Sequence, residues 1–464
     1  MRRRLVLPPC PPRARRRPAR RTPPGRAYPR RTPPASGPPV LNASASPAPL
    51  PDRARVVIVG GGIVGASIAW HLARRGCGDV LLLERRQLGC GTTWHSQALV
   101  GLVRPTDAMT RLALHTNEVL PELERLTGLS TGFERRGAVI VTADPGRVGA
   151  LEALSRDKAR LGLEIRRIDT GEAAERWPPL EVDDLAGAWF MPEEGQTGAL
   201  DTLLAYARAA RLEGATIREG VEVRDVLVDG ARAVGVRTAG GHEIACEAVV
   251  DASGIWSRRF AGRAGVALPM LPVRQTYFVT EPLPGLEGSL PILRDFGEGL
   301  LAREDAGQLT IVALSPREPL FGVDGIPEDF AFEALPTEDG AIEAVIEGVV
   351  HRVPALAEAG LRKGLTGPEC VSFDARYCLG EAPALAGYFV ASGMSGVGVG
   401  SSGGIGREMA AWILDGAPTM DLGDVDVRRA APFQTELDWL VERVPGAAGG
   451  FYDVREGAAA DAGA

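Results

Sequence analysis

An apolar strand followed at once by a glycine-rich turn constrains the fold of this chain more than any other feature. Residues 55–59 form a short β-branched apolar run, which is typical of a strand buried on both faces of a parallel sheet. A glycine turn over residues 60–65 and a helix-like run over residues 66–75 follow. A second apolar strand over residues 80–83 ends in Glu84. This order predicts a dinucleotide-binding βαβ unit.

The glycines of this unit have separate tasks. Gly60 permits the tight turn, Gly62 lets the backbone approach a pyrophosphate at the helix N-terminus, and Gly65 allows close helix–strand packing. Glu84 lies 24 residues after Gly60 and can accept hydrogen bonds from ribose hydroxyls, which disfavours a 2′-phosphate. The predicted cofactor-binding residues here are Gly60, Gly62, Ile63, Val64, Gly65, Glu84 and Arg85. The motif does not distinguish FAD from NAD, and a tight packing turn is the structural alternative.

Two later segments favour FAD. Residues 251–256 end a buried strand in a small-residue turn, as expected where a sheet edge meets an adenosine group. Residues 393–406 hold seven glycines and lead from a strand at 388–391 into a helix at 405–414. Backbone amides there can face the N1–C2=O region of a reduced flavin, whereas a glycine-rich surface loop is the alternative. These segments add Gly254, Trp256, Gly393, Gly396 and Gly398 to the predicted cofactor-binding residues.

The spacing of these segments predicts one cofactor domain assembled from discontinuous pieces. The expected fold is mixed α/β, with a Rossmann-like FAD-binding domain interleaved with an antiparallel-sheet substrate domain. We assign residues 53–105, 186–265 and 365–430 to the FAD-binding domain and residues 106–185 and 266–364 to the substrate domain. Residues 431–464 form a C-terminal extension.

Charge separates the first 50 residues from the rest. They hold twelve Arg, fourteen Pro and no acidic residue, and without these twelve charges the net charge falls from −7 to −19. We interpret residues 1–52 as a disordered tail, because dense proline prevents the amphipathic helix of a presequence. The acidic remainder argues against nucleic acid as a partner. Apolar runs are too short to span a bilayer.

The six cysteines are scattered without paired ligand spacing, so we expect no metal site and no disulfide framework, and we expect a cytoplasmic location. Cys90 lies near residues 92–95, where a role beside the cofactor competes with the simpler interpretation of a buried thiol.

A segment at residues 92–99, TTWHSQAL, followed by Arg104-Pro105, points to a family. With Trp256, residues 277–282 and residues 379–383, it resembles FAD-dependent amine oxidoreductases of the D-amino-acid oxidase fold, in particular the dimethylglycine and sarcosine dehydrogenase family. The resemblance covers roughly residues 54–430. It implies FAD as cofactor, with Thr92, Thr93, Trp94 and His95 among the cofactor-binding residues. It also implies that His95 carries the flavin covalently, since an imidazole nitrogen can add to its 8α carbon; contact without attachment is the alternative.

Amine oxidation by a flavin needs a neutral amine and a group that holds the substrate carboxylate. Arg104 and Arg303 are candidates for a bidentate carboxylate clamp, and a structural ion pair is the alternative for each. Tyr277 is a candidate for orienting or deprotonating the amine, with a core strand tyrosine as its alternative.

Departures from the family pattern fall on positions expected to face the substrate. Residues 275–277 read QTY where the family has His-Gln before the tyrosine, and residues 301–303 read LAR in place of YxR. Residues 394–397 read MSGV where the family has FNSH-like residues. Only 34 residues follow Ala430, whereas long family members carry a folate-binding domain there.

The expected function is oxidation of the C–N bond of a secondary or tertiary amino acid by hydride transfer to FAD. The alternatives are an oxidase of another amino or imino acid with noncovalent FAD, and a flavin-binding regulatory subunit without turnover. The sequence leaves the electron acceptor open between oxygen, an electron-transfer flavoprotein and a quinone.

Overall fold

The computed structural model describes residues 49–313, 315, 317–337 and 340–449. The predicted tail, up to residue 48, and the end of the C-terminal extension, from residue 450, lie outside the described residues. The strands, in chain order, are β1 (Val56–Val59), β2 (Val80–Glu84), β3 (Leu99–Val100), β4 (Ala138–Thr142), β5 (Arg166–Ile168), β6 (Gly187–Met191), β7 (Gly195–Gln196), β8 (Thr216–Glu219), β9 (Val223–Asp229), β10 (Arg232–Thr238), β11 (Glu243–Ala245), β12 (Ala248–Asp251), β13 (Met270–Thr280), β14 (Ile292–Asp295), β15 (Leu300–Asp305), β16 (Gln308–Ala313), β17 (Leu361–Ser372), β18 (Cys378–Glu381) and β19 (Tyr388–Ser392). The α-helices are α1 (Ile63–Arg74), α2 (Asp107–Thr127), α3 (Pro145–Ala159), α4 (Thr170–Arg176), α5 (Ala199–Leu212), α6 (Ser257–Arg263), α7 (Ala341–Val349), α8 (Gly398–Asp415) and α9 (Leu437–Gly449).

One sheet has six strands in the order β18-β19-β12-β1-β2-β8. Its neighbouring strands are parallel, except that β18 and β19 are antiparallel. All four residues of β1 are buried. Val56 and Ile58 face a core that includes residues of α1, α2, α5 and α8. Val57 and Val59 face the other side, where the sheet β11-β10-β9 and α6 pack. The β-branched run is therefore explained by burial on both faces.

The turn between β1 and α1 has the geometry expected of a dinucleotide turn. Gly60 has a φ of +110°, and a Cβ on Gly65 would lie 2.1 Å from the carbonyl oxygen of Gly60. Only glycine satisfies both positions, because the first needs positive φ and the second needs a missing side chain. The predicted βαβ unit is confirmed, with α1 running over Ile63–Arg74.

A second, eight-stranded sheet runs in the order β17-β13-β16-β15-β14-β4-β6-β5. Its pairs are antiparallel except for β14–β4. The long pair β13–β17 places Gln275 opposite Gly367 and Tyr277 opposite Leu365. The described residues form four sheets, and the two largest, one mainly parallel and one mainly antiparallel, agree with the expected mixed α/β fold class.

The positions of three elements disagree with the domain boundaries expected from the sequence. The strand β6 lies beyond residue 186 yet pairs with β4 and β5 in the eight-stranded sheet. The helix α2 lies beyond residue 105 yet packs against α5 and α8 beside the parallel sheet. The strand β17 crosses the boundary expected at residue 365. Long-range pairing decides these positions, and local composition carries no signal for it.

The second glycine-rich segment is mostly helical. We expected a turn over residues 393–404 and a helix from residue 405, but α8 begins at Gly398. A Cβ on Gly404 would lie 2.3 Å from the carbonyl oxygen of Leu112 in α2. These later glycines therefore serve close helix packing, which outweighs the helix-breaking tendency of glycine.

Candidate active site

A large cavity opens at the carboxyl ends of β1, β2 and β12, the place where parallel α/β sheets bind ligands. It encloses about 1460 Å³, part of it open to solvent. Most of the predicted cofactor-binding residues line it, namely Gly60, Gly62, Ile63, Val64, Glu84, Arg85, Thr92, Thr93, Gly254, Trp256, Gly393, Gly396 and Gly398. We refer to this space as the cofactor cavity.

The N-terminus of α1 faces the cofactor cavity without a side-chain cap. The amide of Ile63 donates a hydrogen bond to Oγ1 of Thr93 at 3.2 Å, which ties the glycine turn to the segment that carries His95. Free amides and the helix dipole together form an anion site. Gly65 does not line the cavity, and its contribution is the close packing that shapes the turn.

Glu84 ends β2 at the wall of the cofactor cavity and is buried. Its carboxylate accepts hydrogen bonds from the amides of Gly61 at 2.7 Å and Arg86 at 2.8 Å. The Cys90 thiol donates to the same carboxylate at 3.3 Å. Burial, with Glu84 nearby, raises the pKa of Cys90 to about 12, so the thiol stays protonated and unreactive at neutral pH.

A segment that sequence reasoning missed covers one end of the cofactor cavity. The guanidinium of Arg85 stacks 4.3 Å from the ring centre of Trp256 and donates to the carbonyl oxygens of Glu328, at 3.1 Å, and Phe330. The amide of Phe332 donates to the carbonyl oxygen of Cys90 at 2.9 Å. Nothing in the local sequence signals this role, because the contacts involve the backbone of the covering segment.

His95 lies in a short helical turn, Thr93–His95, and is buried. A Cβ on Gly367 of β17 would lie 2.5 Å from Nδ1 of His95, so the ring packs directly on that glycine. Burial lowers the pKa of His95 to about 4, so the imidazole is neutral and nucleophilic at neutral pH. Its Nε2 atom has no hydrogen-bond partner among the described residues. Trp94, whose ring lies edge-on to His95, lines neither cavity.

A smaller cavity of about 670 Å³ adjoins the cofactor cavity. The two share four lining residues: Ser96, Glu369, Gly396 and Val399. His95, Arg104 and Tyr277 line the smaller cavity, and so does Gln275. We refer to it as the side cavity.

The two candidate arginines have different surroundings. Arg104 is buried at the side cavity, and its Nε and Nη1 atoms have no hydrogen-bond partner among the described residues. Arg303 donates to the carbonyl oxygens of Gln97 and Thr197 and pairs with Asp305 at 3.2 Å. Arg303 lines neither cavity. The buried guanidinium of Arg104 is therefore available to an anionic ligand, whereas that of Arg303 is already engaged.

The side cavity contains one acid that sequence reasoning missed. Glu369 on β17 is 8% exposed and lines both cavities. Burial raises its pKa to about 8, against a hydrogen bond from the amide of Gly396 that favours the carboxylate. Burial also raises the pKa of Tyr277, with an opposing contribution from Arg303. A single acid within a strand of mixed polarity carries no sequence signal, which explains the omission.

Two observations test whether FAD fits this site. Close glycine packing at the β1–α1 turn leaves the cofactor cavity room for a pyrophosphate at the start of α1. Buried polar atoms without partners among the described residues belong to side chains that line the cavities, namely Nε1 of Trp256 at the cofactor cavity and Nε2 of His95 at the side cavity. The residues present therefore suit a flavin dinucleotide.

The fold and the two adjoining cavities suit a protein that binds a dinucleotide cofactor beside a small ligand. The chain belongs to the family of FAD-dependent oxidoreductases, which matches residues 55–412. This agrees with the family and the cofactor expected from the sequence.

Comparisons with known proteins narrow the relationship. The chain is 36% identical over 411 residues to 4-methylaminobutanoate oxidase (formaldehyde-forming) of Paenarthrobacter nicotinovorans, covering 88% of this chain and 49% of the relative. It is 33% identical to mitochondrial sarcosine dehydrogenase of Homo sapiens, covering 86% and 44%. The chain thus spans about half the length of these relatives. The crystal structure of L-proline dehydrogenase from P. horikoshii shares the fold, with a TM-score of 0.74 and 24% identity over 82% of this chain and 98% of that one.

Other classes of site find no support in the part of the chain that the structure describes. No group of three His, Cys, Asp or Glu side chains is arranged to hold a metal ion among these residues. No helix within the same residues is both long and apolar enough to cross a membrane.

Proposed function

We propose that this chain oxidises the C–N bond of a secondary or tertiary amino acid, with bound FAD as the oxidant. The observation that carries the proposal is the unpartnered, buried guanidinium of Arg104 in a side cavity that adjoins the cofactor cavity. A buried cation without a partner is costly unless a ligand supplies the anion. The relatives that act on methylated amines support the same substrate class.

Each side-chain role follows from position. Arg104 holds the substrate carboxylate through a charge-assisted hydrogen bond from one of its free atoms, Nε or Nη1. Tyr277 lines the same cavity from β13 and orients the amine. Arg303 holds the backbone at Gln97 and Thr197 in place by donating hydrogen bonds to both carbonyl oxygens, so its role is positioning. When bound, FAD accepts the hydride from the carbon next to the amine nitrogen.

We also propose that His95 is the point of covalent attachment for FAD. The imidazole is buried, is neutral at neutral pH, lines the side cavity that adjoins the cofactor cavity, and has an Nε2 atom without a partner among the described residues. A neutral ring is needed because only an unprotonated nitrogen carries the lone pair that forms the bond. The match to residues 92–99 of the expected family pattern supports the same position.

The partners in this proposal are a small amine and an electron acceptor, either oxygen, an electron-transfer flavoprotein or a quinone. Cys77, Cys90, Cys246, Cys370 and Cys378 are free thiols. Free thiols are compatible with the reducing cytoplasm that we propose as the location. Reoxidation rates of the reduced protein with each acceptor would identify the physiological one.

The test is anaerobic reduction of the purified holoenzyme. Sarcosine, dimethylglycine, 4-methylaminobutanoate, proline and glycine are added separately, and bleaching of the flavin absorbance is followed. Bleaching by a methylated amine is the expected result. Bleaching only by proline or glycine would support the alternative of another amino or imino acid oxidase. No bleaching by any amine would support a regulatory flavin-binding subunit.

Attachment is tested separately by acid denaturation. Yellow colour and flavin mass that stay with the polypeptide are expected for the native sequence and are expected to disappear in His95→Ala. His351→Ala is the matched control, because its side chain is 47% exposed and lines neither cavity. Covalent flavin that persists in His95→Ala would refute the assignment.

A further inference from the structure

Glu369 has an unusual position for a carboxyl group. It lies in the interior of β17 opposite Val273 of β13, and it is 8% exposed. It is one of the few side chains that line both the cofactor cavity and the side cavity. A ligand that sits against the flavin in the side cavity therefore has to pass its reacting end beside this carboxyl.

The protein itself does little to stabilise the negative charge of this carboxyl group. The amide of Gly396 donates a hydrogen bond to it, which favours the carboxylate form. Among the described residues, no cationic side chain contributes to the pKa shift of Glu369, whose causes are burial and the hydrogen bond from Gly396. Buried acids are normally paired or bonded to several donors, because an isolated carboxylate is costly in a low-dielectric interior. Without such a partner the group is largely a neutral acid at neutral pH, because burial raises its pKa to about 8, and a cationic ligand would favour its carboxylate form.

The side cavity offers two complementary ends. Arg104 supplies a guanidinium with no hydrogen-bond partner for Nε or Nη1 among the described residues, Glu369 supplies a carboxyl that is bonded by the amide of Gly396, and both side chains line the side cavity. A zwitterionic amino acid satisfies both at once, with its carboxylate on Arg104 and its ammonium on Glu369. We propose that Glu369 binds the substrate ammonium and accepts its proton before oxidation, which makes it the residue that selects an amine over a neutral isostere. This inference rests on the proposed function.

The step balances. The N–H bond of the substrate ammonium breaks, its proton moves to a carboxylate oxygen of Glu369, and the nitrogen regains its lone pair. Bound FAD would supply the acceptor for the hydride that leaves the adjacent carbon, and the nitrogen lone pair would form the C=N bond. Glu369 ends the step as a neutral acid, so the cationic iminium product faces no carboxylate and is free to leave or hydrolyse.

The groups around Glu369 allow this exchange. The titratable or charged side chains that face it are Tyr277 from β13, His95 and Arg104 across the side cavity, and Cys370 next along β17. His95 is neutral at neutral pH, since burial lowers its pKa to about 4. Burial raises the pKa of the Cys370 thiol to about 12, so this side chain is also neutral. Because burial raises the pKa of Glu369 itself to about 8, proton uptake from an ammonium costs little.

The test compares two ligands that cannot be oxidised by this route. Betaine carries a carboxylate and a permanent cation, whereas (methylthio)acetate carries the carboxylate with a neutral sulfur. Dissociation constants are measured on the holoenzyme from the perturbation of the flavin spectrum. In Glu369→Gln, we expect betaine to bind at least about tenfold more weakly and (methylthio)acetate to bind within about twofold of the parent.

Glu318→Gln is the matched control. Burial raises the pKa of Glu318 to about 7, and it lines neither cavity, so its replacement is expected to leave both dissociation constants unchanged. An equal loss of affinity for both ligands in Glu369→Gln would overturn the proposal, since it would indicate a structural role. A changed flavin spectrum in the ligand-free variant, with the charge preference intact, would also overturn it.

A pH profile adds a second readout. With an amine that bleaches the flavin, the anaerobic reduction rate of the parent should rise with pH through a limb that Glu369→Gln lacks, while Glu369→Asp should restore the limb. If no amine bleaches the flavin, the proposed function fails, yet the two dissociation constants still report on Glu369. Failure of the charge preference in an enzyme that does oxidise amines would refute the inference alone.

Discussion

The cofactor cavity and the side cavity adjoin each other but are built in different ways. The cofactor cavity is lined largely by backbone and glycines at strand ends, as at Gly60 and Gly393. The side cavity is lined by side chains that come from separate strands and loops, as with Arg104, Tyr277 and Glu369. A site made from local turns leaves a contiguous pattern in the sequence, and a site made from distant strands does not. The two therefore differ in what sequence can reveal and in what mutations should do.

The largest effect is expected at the glycine turn of the cofactor cavity. A Cβ on Gly65 would lie 2.1 Å from the carbonyl oxygen of Gly60, and a backbone atom cannot move aside as a side chain can. Gly65→Val should weaken FAD binding at least about a hundredfold, since such overpacking costs up to about 3 kcal/mol or more. FAD content after purification measures this. Gly78→Ala is the control, because nothing lies within 4 Å of its missing side chain, and equal FAD loss in both variants would contradict the steric argument.

The side cavity should respond in ligand affinity and not in cofactor content. Arg104→Gln removes the unpartnered guanidinium and should weaken binding of a carboxylate ligand about thirtyfold, equivalent to about 2 kcal/mol. Arg303→Gln should change the same dissociation constant much less, because that guanidinium already contacts Gln97, Thr197 and Asp305. Titration of the flavin absorbance with (methylthio)acetate measures both. A larger effect at Arg303 would reverse the assignment of the carboxylate clamp.

The helix α8 contains glycines that pack against a neighbouring helix and do not contact the cofactor cavity, so their replacement should change stability and not cofactor binding. Gly404→Ala places a Cβ 2.3 Å from the carbonyl oxygen of Leu112, and we expect the free energy of unfolding to fall by about 1.5 kcal/mol. FAD content should stay near the parent value, because Gly404 does not line the cofactor cavity. Denaturant unfolding measures the stability. Gly262→Ala in α6 has open space around the new methyl group, and a similar loss there would show that packing against α2 is not the cause.

The sequence predicted the parts of the fold that depend on neighbours in the chain. The βαβ unit from β1 to β2 and the strand β19 were anticipated from hydrophobic patterns that reflect local burial. The start of α8 was not, because seven glycines suggest a turn until the helix against which they pack is known. The assignment of β6 to the eight-stranded sheet depends on pairing across about fifty residues, and no short pattern records that.

The predictions for the candidate site differ in the same way, because local motifs were identified and features that depend on distant residues were not. Thirteen of the predicted cofactor-binding residues line the cofactor cavity, since their motifs are backbone motifs with fixed spacing. Of the predicted substrate-facing residues, Arg104 and Tyr277 line the side cavity and Arg303 does not. Glu369 could not be singled out, because its significance depends on burial and on the absence of a cationic partner within the described residues. Such electrostatic context appears only after folding.

A buried histidine outside both cavities carries the prediction with the smallest expected effect. His71 of α1 lines neither cavity, and burial lowers its pKa to about 3. Between pH 6.5 and about 3 the unfolded chain binds a proton at this position and the folded chain does not, so stability falls as pH falls through that window. From pH 7 to pH 5.5 the loss attributable to His71 is about 1 kcal/mol. His71→Gln should reduce the acid-induced loss by that amount and leave the covalent flavin content unchanged, whereas His351→Gln should change neither. Flavin loss in His71→Gln would mean that the core and the cavities are not independent.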